Sequence, residues 1–163
     1  MQRVILIVAM VAACGPSASE VKTAKTTTYN ADPQVILKAA MQAAEAEHYK
    51  LGEIDQENTR FATVPKYFTR EGSERTPGAG DYVQLGDRAV SVTFIVTVSG
   101  TPPIVAVDVT PKTFQVLAGS PQPRELKPDD PNLPGFVTGR VDELSLAIYQ
   151  RAKPYALASS AVK

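Results

Sequence analysis

A chain of 163 residues suits one domain of ordinary size, and seventeen basic against seventeen acidic side chains leave no formal net charge. That balance lacks the basic footprint of a nucleic-acid binder, so nucleic acid is not expected as a partner. An apolar fraction of 44% excludes wholesale disorder, while thirteen prolines and no tryptophan point to several loops and a largely aliphatic core. The single cysteine, Cys14, excludes an intramolecular disulfide and leaves intermolecular pairing, a free thiol or modification.

The chain opens with Met1-Gln2-Arg3, a short positive start, followed by a continuous apolar run over residues 4–11 that Ala12 and Ala13 extend. Such a run is too short to span a hydrocarbon core, which needs ~20 apolar residues. It matches the ~7–15-residue apolar region of a signal peptide. The run ends in Val11-Ala12-Ala13-Cys14 and continues as Gly15-Pro16-Ser17.

Those four residues resemble the bacterial lipobox: an aliphatic residue, two small ones, then cysteine. The resemblance implies that residues 1–13 are a lipoprotein signal peptide cut between Ala13 and Cys14. It implies a diacylglycerol on Cys14 Sγ and a further acyl chain, such as palmitate, on the new amino group. The alternative is an ordinary secretory signal, which places small residues at both −3 and −1 of the cut; here −3 is Val11, and the sole cysteine ends the motif. One fatty chain anchors marginally, whereas two or three hold firmly at ~0.8 kcal/mol per buried CH₂. Gly15 in place of Asp after the cysteine implies, by the same resemblance, sorting to the outer membrane, facing the periplasm.

Residues 15–31 are rich in Ser, Thr, Ala and Lys without apolar periodicity, so residues 14–31 read as an acylated cysteine and a polar tether. Within it, residues 26–29 are suited to recruitment as an edge strand. A single domain is expected over residues 32–158, with a tail at 159–163. Asp32-Pro33 is a helix start, with Asp32 capping and Pro33 in the first turn, and the helix is expected to reach about Tyr49. Leu37, Ala40, Met41, Ala44 and His48 fall on one stripe.

Four extended segments follow. Residues 50–55 are short, and residues 60–69 carry aromatic and β-branched side chains, with Pro65 marking an edge or bulge. Residues 88–98 are the clearest strand: Val90, Val92, Phe94, Val96 and Val98 alternate with Ser91, Thr93 and Thr97. A turn at residues 99–103 leads to residues 104–117, where Val105, Val107 and Val109 share a face but the apolar positions beyond Pro111 are Phe114 and Val116. That slip of one predicts a bulge or break near Pro111. The last helix is expected from residues 136–138, with Val137, Val141, Leu144, Ile148 and Ala152 on one stripe and Pro154 closing it. The order predicts an α+β fold (α-β-β-β-β-α): a mostly antiparallel four-stranded sheet with the N- and C-terminal helices on one face.

A lipobox, a tether, an Asp-Pro helix, the segment Tyr49-Lys50-Leu51-Gly52-Glu53-Ile54-Asp55 and then Arg60-Phe61-Ala62-Thr63 resemble the small α+β lipoproteins of Gram-negative envelopes. The lipoprotein subunits of the outer-membrane β-barrel assembly machine share this arrangement, as do several uncharacterised lipoprotein families. The likeness is one of element order, and it carries over no functional residue.

Chemistry-bearing patterns are sparse. His48 is the sole histidine, so it forms no His-x-x-x-His metal pair, and no G-x-S-x-G supplies a nucleophile. No catalytic, cofactor-binding or metal-binding residue is expected. Acidic neighbours at Glu45/Glu47, Asp55/Glu57, Asp129/Asp130 and Asp142/Glu143 fit solvated surface better than glycosidic acid–base work. The glycine-rich residues 71–81 lack the Lys-Ser/Thr of a phosphate loop and read as a hairpin connection. The loop bounded by Gly119 and Gly135 carries five prolines among charged residues, which suits a rigid connector or a partner-binding segment. The functional expectation is a membrane-anchored, non-catalytic envelope lipoprotein that binds a partner or scaffolds an assembly. A lipid or small-ligand carrier using a helix–sheet cleft is the alternative, and an envelope hydrolase is the weakest reading.

Overall fold

The computed structural model describes residues 16–75, 88–117, 119–120 and 122–157. Cys14, the signal segment, residues 76–81 of the glycine-rich stretch and the tail from 158 lie outside them. The chain runs α1 (Ala18–Thr26), β1 (Thr28–Asn30), α2 (Pro33–Ala46), β2 (Leu51–Asp55), β3 (Arg60–Thr63), β4 (Lys66–Phe68) and β5 (Glu74–Arg75). It continues through β6 (Val90–Thr101), β7 (Ile104–Gln115), β8 (Arg124–Leu126) and α3 (Gly135–Ala152), ending in a 3₁₀ turn at Lys153–Tyr155. This is an α+β fold with an antiparallel sheet, as expected, but the sheet has eight strands rather than four. Among the described residues there are three α-helices, and the Asp-Pro helix is second in order, so the helices are not simply the two ends.

One extra strand arises from a break that leaves the backbone in line, while β1, β5 and β8 come from segments expected as tether or loop. The sheet order is β1-β7-β6-β3-β2, with β4 beside β6, β5 beside β4, and β8 beside β7. β3 pairs with β6 at Ala62↔Ile95 and β4 at Lys66↔Val92, so one expected strand is divided at Val64-Pro65 into two that share a neighbour. Across that division the Phe94 N–H donates to the Thr63 hydroxyl at 3.0 Å, which replaces a ladder bond. β1 and β8 similarly flank the two ends of β7. Strands of two or three residues are too short to show alternation, and pairing alone defines them.

The β6–β7 hairpin is the spine, with an unbroken register from Val90↔Gln115 to Thr101↔Ile104. The bulge expected near Pro111 is absent. Val116 N–H donates to Ala89 O, so hydrogen-bonded pairs alternate from there and Pro111↔Phe94 falls at a non-bonded pair. The missing proline N–H would point away from β6, between the stretches that β1 and β8 occupy, where it breaks no rung. The apparent slip is a change of chemistry: Thr113 and Gln115 take core-facing positions, and Phe114 lies on the opposite face beneath Lys112.

α2 and α3 cover the face carrying Val90, Val92, Phe94, Val96 and Val98, and their buried residues join it in one core with Ile36, Leu37, Phe61, Phe68, Leu144 and Ile148. Buried alanines at 39, 40, 43 and 44 let α2 approach closely. Asp32 caps α2 by accepting from Gln34 N–H at 2.8 Å, with Pro33 in the first turn. The opposite sheet face carries Ser91, Thr93, Ile95 and Thr97, all half-exposed.

The tether reading is corrected over most of its length. Ser17 and Glu20 close a capping box, α1 packs on α3 with Ala24 buried and Lys25 paired to Asp142, and Tyr29 of β1 is in the core. This helix carries no apolar stripe in its sequence because Ala24 is its one buried residue. β1 does add a strand beside β7, overlapping the residues expected as an edge strand.

α2 ends with Tyr49 N–H donating to Ala44 O at 2.9 Å and His48 N–H to Glu45 O at 3.0 Å. His48 sits at φ +61, the left-handed residue of a Schellman ending where glycine is favoured. Replacing His48 with glycine is expected to raise stability by about 0.5–1 kcal/mol. Urea unfolding measures the change, and a loss of stability would mean that the His48 side chain contributes more than its conformation costs.

Candidate functional site

α3 begins at Gly135 after a connector that folds back onto the sheet. In the loop between Gly119 and Gly135, β8 adds three rungs to the end of β7, and Leu126 is buried. Asp130 Oδ1 accepts from Asn132 N at 2.8 Å and Nδ2 at 3.0 Å, while Oδ2 accepts from Arg124 at 2.6 Å. Asn132, with Arg124 adding its charge, holds the Asp130 carboxyl below the usual carboxylate range. The segment is therefore a fixed connector whose outer surface presents Glu125, Lys127 and Asp129.

The inner side of that connector walls a hollow of about 390 Å³ at the start of α3. Pro131, Asn132, Leu133, Pro134, Gly135 and Phe136 form one wall; Arg70 and Glu71 after β4, Arg88 before β6 and Gln115 of β7 form the other. One wall belongs to the proline-rich loop that the sequence marks as a connector or partner-binding segment, whereas Arg70, Arg88 and Gln115 carry no sequence signal of a site. The available signal was the alternation of β7 itself: continued through Pro111, it puts polar Thr113 and Gln115 on the core face.

His48 is exposed and lines a separate cleft of about 300 Å³ beside Tyr49, Lys66, Glu74, Arg140 and Glu143. Four of the cleft's charges are paired with each other, Lys66 to Glu74 at 3.1 Å and Arg140 to Glu143 at 3.0 Å. Lys66 also lies 4.7 Å from the centroid of the Tyr49 ring. No serine or cysteine lines the cleft, so the structure does not bring His48 beside a nucleophile there.

Three of the four acidic pairs have a member committed to local structure. Asp55 accepts from Asn58 N and Nδ2, Asp142 pairs with Lys25, and Glu143 with Arg140. Among the described residues no group of three or more His, Cys, Asp or Glu converges to hold a metal ion.

At the start of the described chain only Gly15 and Pro16 separate Cys14 from Ser17, the cap of α1. At no more than ~3.6 Å per extended residue, three residues of chain reach at most roughly 11 Å. Pro16 borders a shallow apolar groove between α2 and α3, lined also by Ala43, Leu146 and Ala147. No protein-family model matches the chain, and no curated protein matches it.

Proposed function

We propose that this chain is a lipid-anchored protein of a bacterial cell envelope, held by acyl chains on Cys14, whose domain binds a partner or scaffolds an assembly without catalysis. The observation that carries the reading is the sequence Val11-Ala12-Ala13-Cys14 after Arg3 and an uninterrupted apolar run. The early start of the fold adds a consequence: with α1 capped at Ser17, the domain sits against the membrane surface rather than standing off on a long tether. Gly15 favours the outer membrane and its periplasmic face.

A partner role is supported by the half-exposed sheet face and by the connector's charged outer surface at Glu125, Lys127 and Asp129, which the rungs of β8 hold rigid. The space between helices and sheet, which a carrier would keep open, is occupied by Ile36, Leu37, Phe94, Leu144 and Ile148, all fully buried.

The test is Cys14→Ser in the native host. Wild type is expected to take up a fatty-acid probe and fractionate with membranes. The variant is expected to lose the label entirely and leave the membrane fraction. Unchanged labelling and fractionation would overturn the anchor.

A further inference from the structure

The core face of β7 changes character past Pro111. Val105, Val107 and Val109 are followed on that face by Thr113, 1% exposed, and Gln115, 6% exposed. Thr113 Oγ1 has no hydrogen-bond partner among the described residues. The Gln115 side-chain amide makes no hydrogen bond among the described residues, although the residue is more than nine-tenths buried. A buried polar group left unpaired costs about 1–3 kcal/mol, and folded proteins seldom keep one. Gln115 is not sealed in the core, however; it lines the hollow at the start of α3.

The same hollow receives the open end of an 18-residue helix. Pro134 at the cap position provides no side-chain acceptor. Val137 N–H donates to Pro134 O, while the N–H groups of Gly135 and Phe136 find no acceptor among the described residues. Nothing stands within 4 Å of where a Cβ on Gly135 would be, so the helix end is open to a visitor. Such an end carries partial positive charge and aligned donors. Arg70 and Arg88 border the space with two full charges against one from Glu71. Both arginines have other interactions, Arg70 with the neighbouring Glu71 carboxylate, and Arg70 is the one taken as the anion's charged partner.

We propose that this hollow binds a small tetrahedral oxyanion of the phosphate type, held by the Gly135 and Phe136 N–H groups, the Gln115 amide and the Arg70 guanidinium. The lining draws its donors from a helix end, a strand and a loop, a set that suits an acceptor with several oxygens, as a tetrahedral oxyanion has. The ligand partners the Gln115 amide, which lines the hollow and has no hydrogen-bond partner among the described residues. The site is independent of the acyl anchor, and the chemistry covers both free phosphate and the phosphate of a lipid headgroup.

The test uses the full chain in neutral detergent, titrated with inorganic phosphate at constant ionic strength and followed by amide NMR. Saturable shifts are expected at the Gly135 and Phe136 backbone and the Gln115 side chain, with none in a matched chloride titration. Arg70→Gln is expected to weaken binding about tenfold. Gln115→Leu, which keeps the buried volume, is expected to weaken it several-fold while the protein remains folded. Short-chain phosphatidic acid competing below the phosphate concentration assigns the site to a lipid headgroup; equal or weaker competition assigns it to free phosphate, and both results uphold the site. Equal shifts with chloride, no saturation, or unchanged affinity in both folded variants would overturn it.

Discussion

Gly100→Ala is expected to destabilise the protein by about 3 kcal/mol, read as a lowered urea midpoint with an unchanged slope. Gly100 lies at φ +128, opposite Val105 near the tip of the central hairpin. A Cβ there would stand 2.5 Å from the Ile104 carbonyl oxygen and 3.0 Å from Val105 Cα. Both atoms belong to backbone on the paired strand, so no side chain can swing aside to make room. The rungs at the hairpin tip must part, and the damage spreads because β1 pairs with Ile104 and Ala31 N–H donates to Pro103 O at 2.9 Å. Gly119→Ala separates the two causes. Gly119 also has a positive φ, +77, but nothing lies within 4 Å of its added Cβ. Its loss should be only the conformational cost, about 1 kcal/mol. Equal losses for the two variants would show that the contact across the hairpin carries no penalty.

The long periodic elements were legible because each repeats its signal several times. Asp32-Pro33 opened α2 as read, the stripe from Val137 to Ala152 formed the buried side of α3, and the valine alternation of β6 marked its buried face. α1 illustrates the opposite case. It is a polar helix fixed by packing on α3 and by the Lys25–Asp142 pair, contacts that depend on a residue more than a hundred positions away. Its one local signature was Ser17-x-x-Glu20, the pattern of a capping box. β7 departs from its apolar pattern for a different reason. A proline and two polar core positions imitate a register slip, because apolar side chains are the usual marker of a buried face. That failure coincides with the hollow: the polar residues that broke the pattern include Gln115, which lines it. Sequence patterns tend to fail where a fold gives up local consistency for another purpose.

Phe94→Ala is expected to cost about 3–5 kcal/mol, the range for removing a buried aromatic ring from a packed core. Phe94 is fully buried at the middle of β6, and its ring meets Tyr49 edge-on with centroids 5.1 Å apart. Its backbone N–H bonds to Thr63 across the gap between β3 and β4. Alanine retains that N–H, so the substitution removes the ring and leaves the bridging hydrogen bond its donor. Tyr49 supplies a second readout that a general loosening would not single out. Burial pushes its hydroxyl up to about 12 in wild type. With the Phe94 ring gone, water gains access beside Tyr49 and its pKa should fall toward the ordinary value near 10, visible in ultraviolet titration. Tyr29, also raised to about 12 by burial, serves as the internal standard and should hold its value. A Phe94→Ala protein with less than about 1 kcal/mol lost and Tyr49 unmoved would mean that the ring does not join helix α2 to the sheet.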